Sequence, residues 1–495
     1  MIFGELSITE RMKLAISDPE KVPMRIEQIL AEEVRAFRGS TRYGDMLRAD
    51  AYYNNLSDVQ RKEMAKGGNT NTKIEHPILK KLIKQKADYL LGKPFSISTE
   101  NSTYAACLSE VFCYSVRGKI RRMCKDAAKY GIAWLQPYFA DGKLLFMRIP
   151  ATELIPEWAD AEQTALNAFI RVYDQTVYVG TRKCTVTHAE LWTAEGVMWF
   201  KTAPRSATSG ADCVFEIDKD HGTEESGWIE AHFSIGEKAY NWNSVPLVWV
   251  KYDDENDAAP LLNDIKEIID DINWQKSITA DVLRDVVNFV YVLKNYGGQS
   301  LTEFLEELKK NKAIKVDADG GVDKLSADLN IDAVVKHLDE ERRDLYDYAN
   351  AVDTKDPDLG NASGAALQFR YMALDNECAA LGDAFRAMFE ELKPFIDTYL
   401  QIIGKGDFRD VSFDVTFNMD MPVNETEVIQ SARDSKGIIS NRTILENHPW
   451  VKDVDEEEAQ LEKEKSQALA EYGEGLFDGA LRVSGGGDGD GIEKQ

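Results

Sequence analysis

The segment Asp353-Thr-Lys-Asp-Pro-Asp-Leu-Gly-Asn-Ala-Ser-Gly364, with the run that follows it to Gly404, decides how this chain is read. From Leu367, apolar or small residues recur at Tyr371, Leu374, Cys378, Leu381, Phe385, Met388, Leu392, Phe395, Tyr399 and Ile403. Steps of four and three draw one stripe along a helix. At 1.5 Å per residue, a helix over 363–404 spans roughly 60 Å, well beyond the usual globular length. Pro394 lacks an N–H and crowds the preceding turn, so the spacing predicts a kink there, with Gly382 a second place to bend. Upstream, Pro357, Gly360, Asn361 and Gly364 make a breaker-rich loop, and Ser363 is a candidate N-cap. By spacing alone, this is a core helix behind an ordinary loop.

The segment before it is also helical. Ile331, Val335, Leu338, Arg342, Leu345, Ala349 and Val352 follow one another at alternating fours and threes. That is a heptad-like seam with one charged interruption, and it leads straight into the loop. Earlier, Leu261, Leu262, Ile265, Ile268, Ile269, Ile272, Ile278, Val282, Leu283 and Val286 mark another helix. Its other face carries Asp264, Glu267, Asp270, Asp271, Asp281 and Asp285, opposed only by Lys266, Lys276 and Arg284. Such a face is ordinarily a wet surface. Between these helices, Asn288–Leu293 and Ala313–Val316 are strand-like around a helix over Leu301–Lys310, a small β-α-β insertion that Asp319-Gly-Gly321 closes. Lys294, Lys309, Lys310, Lys312 and Lys315 make that insertion locally basic.

Residues 1–130 are expected to be largely helical, with segments over 18–39, Tyr43–Tyr53, Ile78–Leu91 and Ser115–Tyr130. Near Gly131 the period drops to two, and seven of the nine tryptophans fall between Trp134 and Trp249. Strand-like runs there, separated by turns such as Asp141-Gly142, predict a mostly antiparallel region over 131–257. After the long helix, Phe408–Met421 alternates as a strand and Thr426–Arg433 is a short helix. Asp455–Glu471 reads as an exposed charged helix, and 472–495 as a disordered tail. The fold class is α+β.

With 495 residues the chain has room for two to four domains, and 43% apolar content supplies their cores. Lys and Arg number 59 against 85 Asp and Glu, a net charge of −26 that argues against tight non-specific grip on nucleic acid. No run approaches a membrane span, and no secretory signal is visible. The six cysteines show neither pairing nor metal-ligand spacing, so reduced thiols in a cytoplasmic product are expected. No phosphate loop, His-Glu-x-x-His or Gly-x-Ser-x-Gly occurs, so catalytic, cofactor and metal residues are all expected to be absent. The rival is a metal-dependent hydrolase using Asp253, Asp254 and Asp257, whose spacing fits solvated turns better than a cation loop.

Several segments together resemble the portal proteins of tailed bacteriophages, of the type found in siphophages of Bacillus and related Gram-positive hosts. They are HPILKKLIKQKADYLLGKP (76–94), YGIAWL (130–135), IPATELIP (149–156), NASGAAL (361–367), KGIISNRTIL (436–445) and PWVKD (449–453). The order is more specific than any one of them. The resemblance implies a homo-oligomeric ring, typically of twelve subunits, at the capsid's portal vertex, built in the host cytoplasm. Viral DNA enters and leaves through it, held weakly and without regard to sequence. It also implies docking to terminase, to a head–tail adaptor, and to capsid and scaffolding proteins; another head–tail structural protein is the lesser alternative.

By element order the resemblance implies a wing over 1–257, a stem helix over 258–287, a clip over 288–330 and a second stem helix over 331–352. A tunnel loop over 353–362 follows, then the long helix over 363–404, a wing-associated strand over 405–424 and a crown over 425–471. Lys355, Asp356, Pro357, Asp358, Leu359, Gly360 and Asn361 would then face DNA, while Asp264, Glu267, Asp270 and Asp271 would line the channel. The clip lysines would lie at its interface, and Lys355 is the only cation in the loop.

Overall fold

Gly131 decides where helix gives way to sheet. It sits at φ 82°, a left-handed conformation that ends the preceding helix, and a Cβ there would meet the Ala258 carbonyl oxygen at 2.1 Å. Its own N–H bonds to Ala127 O at 2.7 Å, and its carbonyl accepts from Tyr252 N at 2.8 Å. The helix end is thus tied to the last strand of the first sheet.

The computed structural model describes residues 8–17, 24–64, 70–206, 214–221, 228–253, 258–285, 290–294, 300, 302, 321–325, 331–356, 364–419, 425–446, 448, 450–451, 454 and 457–466. One unit comprises 1–353 with 372–420, and a second comprises 354–371 with 421–495.

The first unit opens with helices α1 (Ile8–Ser17), α2 (Ile26–Arg38), α3 (Thr41–Tyr53) and α4 (Ile78–Leu91). Strand β1 (Ser96–Ser98) leads to α5 (Ser102–Val111) and α6 (Tyr114–Tyr130). Ser40 caps α3 by accepting from Tyr43 N at 3.2 Å, and Asn101 caps α5 by accepting from Tyr104 N at 3.0 Å. Helices α1 and α5 were not foreseen from spacing.

Next come β2 (Ile132–Ala140), β3 (Lys143–Ile149), β4 (Leu154–Trp158), β5 (Leu166–Val179), β6 (Arg182–Thr193), β7 (Val197–Thr202), β8 (Arg205–Ser206) and β9 (Phe215–Ile217). Strands β10 (Trp228–Ile229), β11 (Phe233–Ile235), β12 (Lys238–Tyr240) and β13 (Val248–Lys251) complete the region. One sheet runs β13-β2-β3; a larger one runs β10-β7-β6-β5-β4, with β8 on β6 and β9 on β7. Every described pairing here is antiparallel, as the alternation predicts. Asp141 and Gly142, at φ 52° and 74°, make the β2–β3 hairpin turn. Helices α1 and α2 cover the larger sheet, while Trp134, Trp158, Trp249, Phe169 and Trp192 form a second core beside it.

Helix α7 (Leu262–Asp285) follows, then β14 (Val290–Lys294) paired antiparallel with β15 (Gly321–Leu325). The partner strand therefore begins at Gly321, where a closing turn was expected; the glycine pairs with Lys294 instead of ending the insertion. The expected strand Ala313–Val316 lies outside the described residues, as does all of 301–310 except Thr302. Helix α8 (Ile331–Tyr348) comes next.

The long helix α9 runs Gly364–Ile402. Leu374, Cys378, Leu381, Phe385, Met388, Leu392 and Phe395 are buried, so the predicted stripe is the buried face. At about 1.5–3 kcal/mol for each large side chain, this face alone outweighs any local helix propensity. Strand β16 (Asp414–Thr416) pairs with β1 and is shorter than the Phe408–Met421 alternation predicts. Alternation persists as burial: Phe408, Val415 and Phe417 point inward, and Phe408 stacks on Tyr104 at 4.6 Å. Inward aromatics hold this segment where ladder bonds do not.

In the second unit, α10 (Glu425–Asp434) and α11 (Asn441–Glu446) precede a helical stretch over 457–466, joined to α11 by Arg442–Glu458 at 2.8 Å. No helix among the described residues is long and apolar enough to cross a membrane.

Candidate DNA-channel elements

Helices α7 and α8 pack on α3 and α4. Leu262, Ile265, Ile269 and Ile272 of α7 join Leu345, Tyr346 and Ala349 at the end of α8 in a core that includes Leu79, Leu82 and Ile83. Across the pair, Asp271 Oδ2 bonds His337 Nε2 at 2.8 Å.

The acidic face of α7 is divided among three environments. Asp270 turns inward, accepting from Tyr52 Oη at 2.6 Å and pairing with Lys266 at 2.5 Å. Burial works against the Lys266 ammonium, but its bonds to Asp270 and Asp58 outweigh that and hold its pKa above the ordinary value. Asp281 accepts from Lys62 Nζ at 2.5 Å and Thr72 N at 2.7 Å. Burial opposes its charge, yet these bonds keep the carboxyl well below the usual range. Asp264 and Glu267 reach solvent; partial desolvation by the surrounding packing, then the charges of Asp253 and Glu377, raises Asp264. Of the four acids expected along a channel, two are open to solvent, one is spent on Tyr52 and Lys266, and one is shared with His337.

The seam of α8 is covered along only part of its length. Leu345 and Ala349 are 3% and 0% exposed, whereas Ile331 and Val335 are 41% and 50% exposed. On α7, Trp274 and Ile278, one helical step apart on the face that carries Glu267, are also exposed. Spacing had placed Ile278 among the apolar residues of a core face; its side chain points outward.

Where α8 ends, the chain is clamped. Lys86, 1% exposed, donates to Ala349 O at 2.6 Å and Asn350 O at 3.2 Å, and pairs with Glu377 at 2.7 Å. Tyr252 Oη donates to the same carboxylate, and burial followed by Glu377 drives that phenol well above its ordinary pKa. Gln85 bonds Val352 through both backbone groups, at 2.8 and 3.2 Å. Arg342, the charged interruption of the seam, pairs with Asp353 at 2.6 Å. Asn350 turns the chain at φ 45°. The sequence carried a signal for Lys86: it lies on the Leu79, Leu82, Ile83, Ala87, Leu90 face of α4, where a cation needs a partner.

Of the expected loop residues, Lys355 and Asp356 are described, and Asp356 pairs with Arg370 inside the second unit. Pro357, Asp358, Leu359, Gly360 and Asn361 lie outside the described residues, together with Ser363. Among the clip lysines, Lys294 ends β14, while Lys309, Lys310, Lys312 and Lys315 lie outside. Helix α9 continues through both Gly382 and Pro394. A Cβ at Gly382 would make ordinary 3.5 Å contacts with Leu90 and Phe417, so close packing does not demand the glycine. Beside Pro394, Lys393 bonds Asp397 at 2.5 Å and the Phe408 and Arg409 carbonyls at 3.1 and 3.0 Å. Asp253 is described and exposed; Asp254 and Asp257 lie outside the described residues.

Residues 38–470 match the family model described as phage portal protein, SPP1 Gp6-like. The chain belongs to the phage portal protein family. The portal protein of Bacillus phage SPP1 is 29% identical over 448 residues, covering 88% of this chain and 86% of that one. The portal protein of Clostridium phage phiCD119 is 27% identical over 465 residues, covering 88% and 97%. Among solved structures, the neck of a native gene transfer agent particle aligns over 81% of this chain and 92% of its own, with TM-score 0.37 and 9% identity. Family membership makes the chain a structural component of a phage virion, a portal at the head–tail connection through which the genome is packaged and ejected.

Proposed function

We propose that this portal chain closes into a ring, with twelve subunits the expected number, at one capsid vertex, and that double-stranded viral DNA passes through it. The carrying observation is the half-covered seam. Ile331 and Val335, with Trp274 and Ile278 on the neighbouring helix, expose apolar surface in line with residues that the chain itself buries. A neighbouring copy laid along these helices would cover that surface, and a repeated head-to-tail contact closes into a ring when its rotation permits.

In this reading α7 and α8 are the stem, 288–330 the clip, 353–362 the tunnel loop, 1–257 the wing and 425–471 the crown. Asp264 and Glu267 would present carboxylates toward DNA, so the duplex slides without the cation contacts that would trap it. Terminase, a head–tail adaptor, and capsid and scaffolding proteins are the docking partners, and the chain performs no catalysis of its own. Electron micrographs of purified protein at micromolar concentration test the reading. Closed rings of about a dozen subunits are expected from the family resemblance; a strictly monomeric species under assembly-permitting salt would sink it.

A further inference from the structure

The chain is strongly acidic, yet the charged residues lining one recess are all cations. It lies between the end of α4, the segment 92–95 that follows it, and the first three turns of α6, and measures about 360 Å³. Leu91, Pro94 and Phe95 give it an apolar floor. Lys93, Arg121, Arg122 and Lys125 stand around it, and among the described residues no carboxylate lines it. Asp88, beside it, bonds Arg121 at 2.5 Å. Arg117 is committed to the wall: its guanidinium lies 4.5 Å from the Phe95 ring centroid and donates to Phe112 O at 2.9 Å and to Phe95 O. Tyr114, at the rim, is 93% exposed.

We infer that this recess docks an acidic peptide segment of another protein, one carrying an apolar or aromatic anchor. The charge is complementary to carboxylates, and the floor and Tyr114 supply the apolar and aromatic contact that anchors a peptide. A DNA backbone fits less well. A duplex is convex and wide, so it engages unpaired cations that protrude, whereas Arg117 is drawn down onto Phe95 and Arg121 is paired with Asp88. Phosphates would also gain nothing from the Leu91–Pro94–Phe95 floor. The inference does not depend on the ring: the recess is complete within one chain.

The test is fluorescence anisotropy of the full chain with a labelled Glu-Glu-Leu-Trp-Glu-Glu peptide. Three competitors accompany it: the same peptide with Trp replaced by Ala, an all-glutamate peptide, and a short DNA duplex. Binding should weaken about tenfold in the double variant Arg122→Glu/Lys125→Glu, the scale of reversing two rim charges. It should also weaken in Tyr114→Ala, and when the peptide loses its Trp. Unchanged melting would show that the variants remain folded. Absent binding, equal binding by the double variant, or an all-glutamate peptide that binds as well as the anchored one would each overturn the inference. Preference for the duplex would make the recess a phosphate site instead. Peptide binding that disappears when the chain assembles would make it a contact between copies.

Discussion

The two ends of helix α8 are built from the same kind of residue at the same spacing and meet opposite fates. At one end Leu345 and Ala349 are buried against α4 and α7, Val352 is buried beyond them, and the chain there is held by Lys86, Gln85 and Arg342. At the other, Ile331 and Val335 face solvent. Periodicity states that a stripe exists; burial states who covers it. The covered end fixes where the chain leaves α8, and the open end is the surface that a second copy would cover in the proposed ring.

The largest effect should come from the clamp. Lys86→Ala leaves the Glu377 carboxylate and two carbonyls without their ammonium, and should cost about 3 kcal/mol in chemical denaturation of the full chain. That is the low end for a broken buried pair, because Glu377 keeps some contact with solvent. A loss under about 1 kcal/mol would mean that the clamp is ornamental.

Next is the seam itself, as a matched pair. Leu345→Ala should cost about 2–3 kcal/mol of stability, the low end for a cavity in a packed core. Val335→Ala in the dissociated chain should change stability by less than about 0.5 kcal/mol. If the two truncations cost the same, the ends do not differ as described.

The smallest effect is a pH dependence beside the seam, where His337 of α8 meets Asp271 of α7. The bond to Asp271, helped by Glu341 and Glu340, raises the His337 pKa above its ordinary value. Folding then favours protonated histidine, so its stabilisation is fully present below the unfolded pKa of about 6.5. It is lost as pH rises through the folded value. For so exposed a pair the effect is about 0.5 kcal/mol at most. Melting of wild type and His337→Gln should converge at alkaline pH and separate on acidification; a constant gap would remove His337 from the account.

Much of this was legible in the residues. Helices α4, α6, α7 and α9 announced themselves by threes and fours because a face of each is largely buried, α8 although only one end of its stripe is, and Asp141-Gly142 announced its hairpin through its need for positive φ. Less was legible where a residue's role depends on something distant in sequence. Lys86 sits on an apolar face because carbonyls more than 260 residues later require a donor. The acidic face of α7 looked uniform, yet Asp270 and Asp281 are bound to Tyr52 and Lys62, far upstream. Strand β15 was hidden because Gly321 reads as a turn residue until its partner β14 is in place. The Phe408–Met421 alternation predicts a strand over its whole length, but alternation does not reveal how many residues find a strand to pair with, and only Asp414–Thr416 do.

The most direct test of the half-covered seam is hydrogen exchange compared between assembled and dissociated protein. Amides of 331–338 and 274–280 should exchange more slowly on assembly, while those of 345–352, already covered within the chain, should stay unchanged. Rings whose 331–338 segment exchanges as fast as in the monomer would contradict the claim that a neighbouring copy completes the seam.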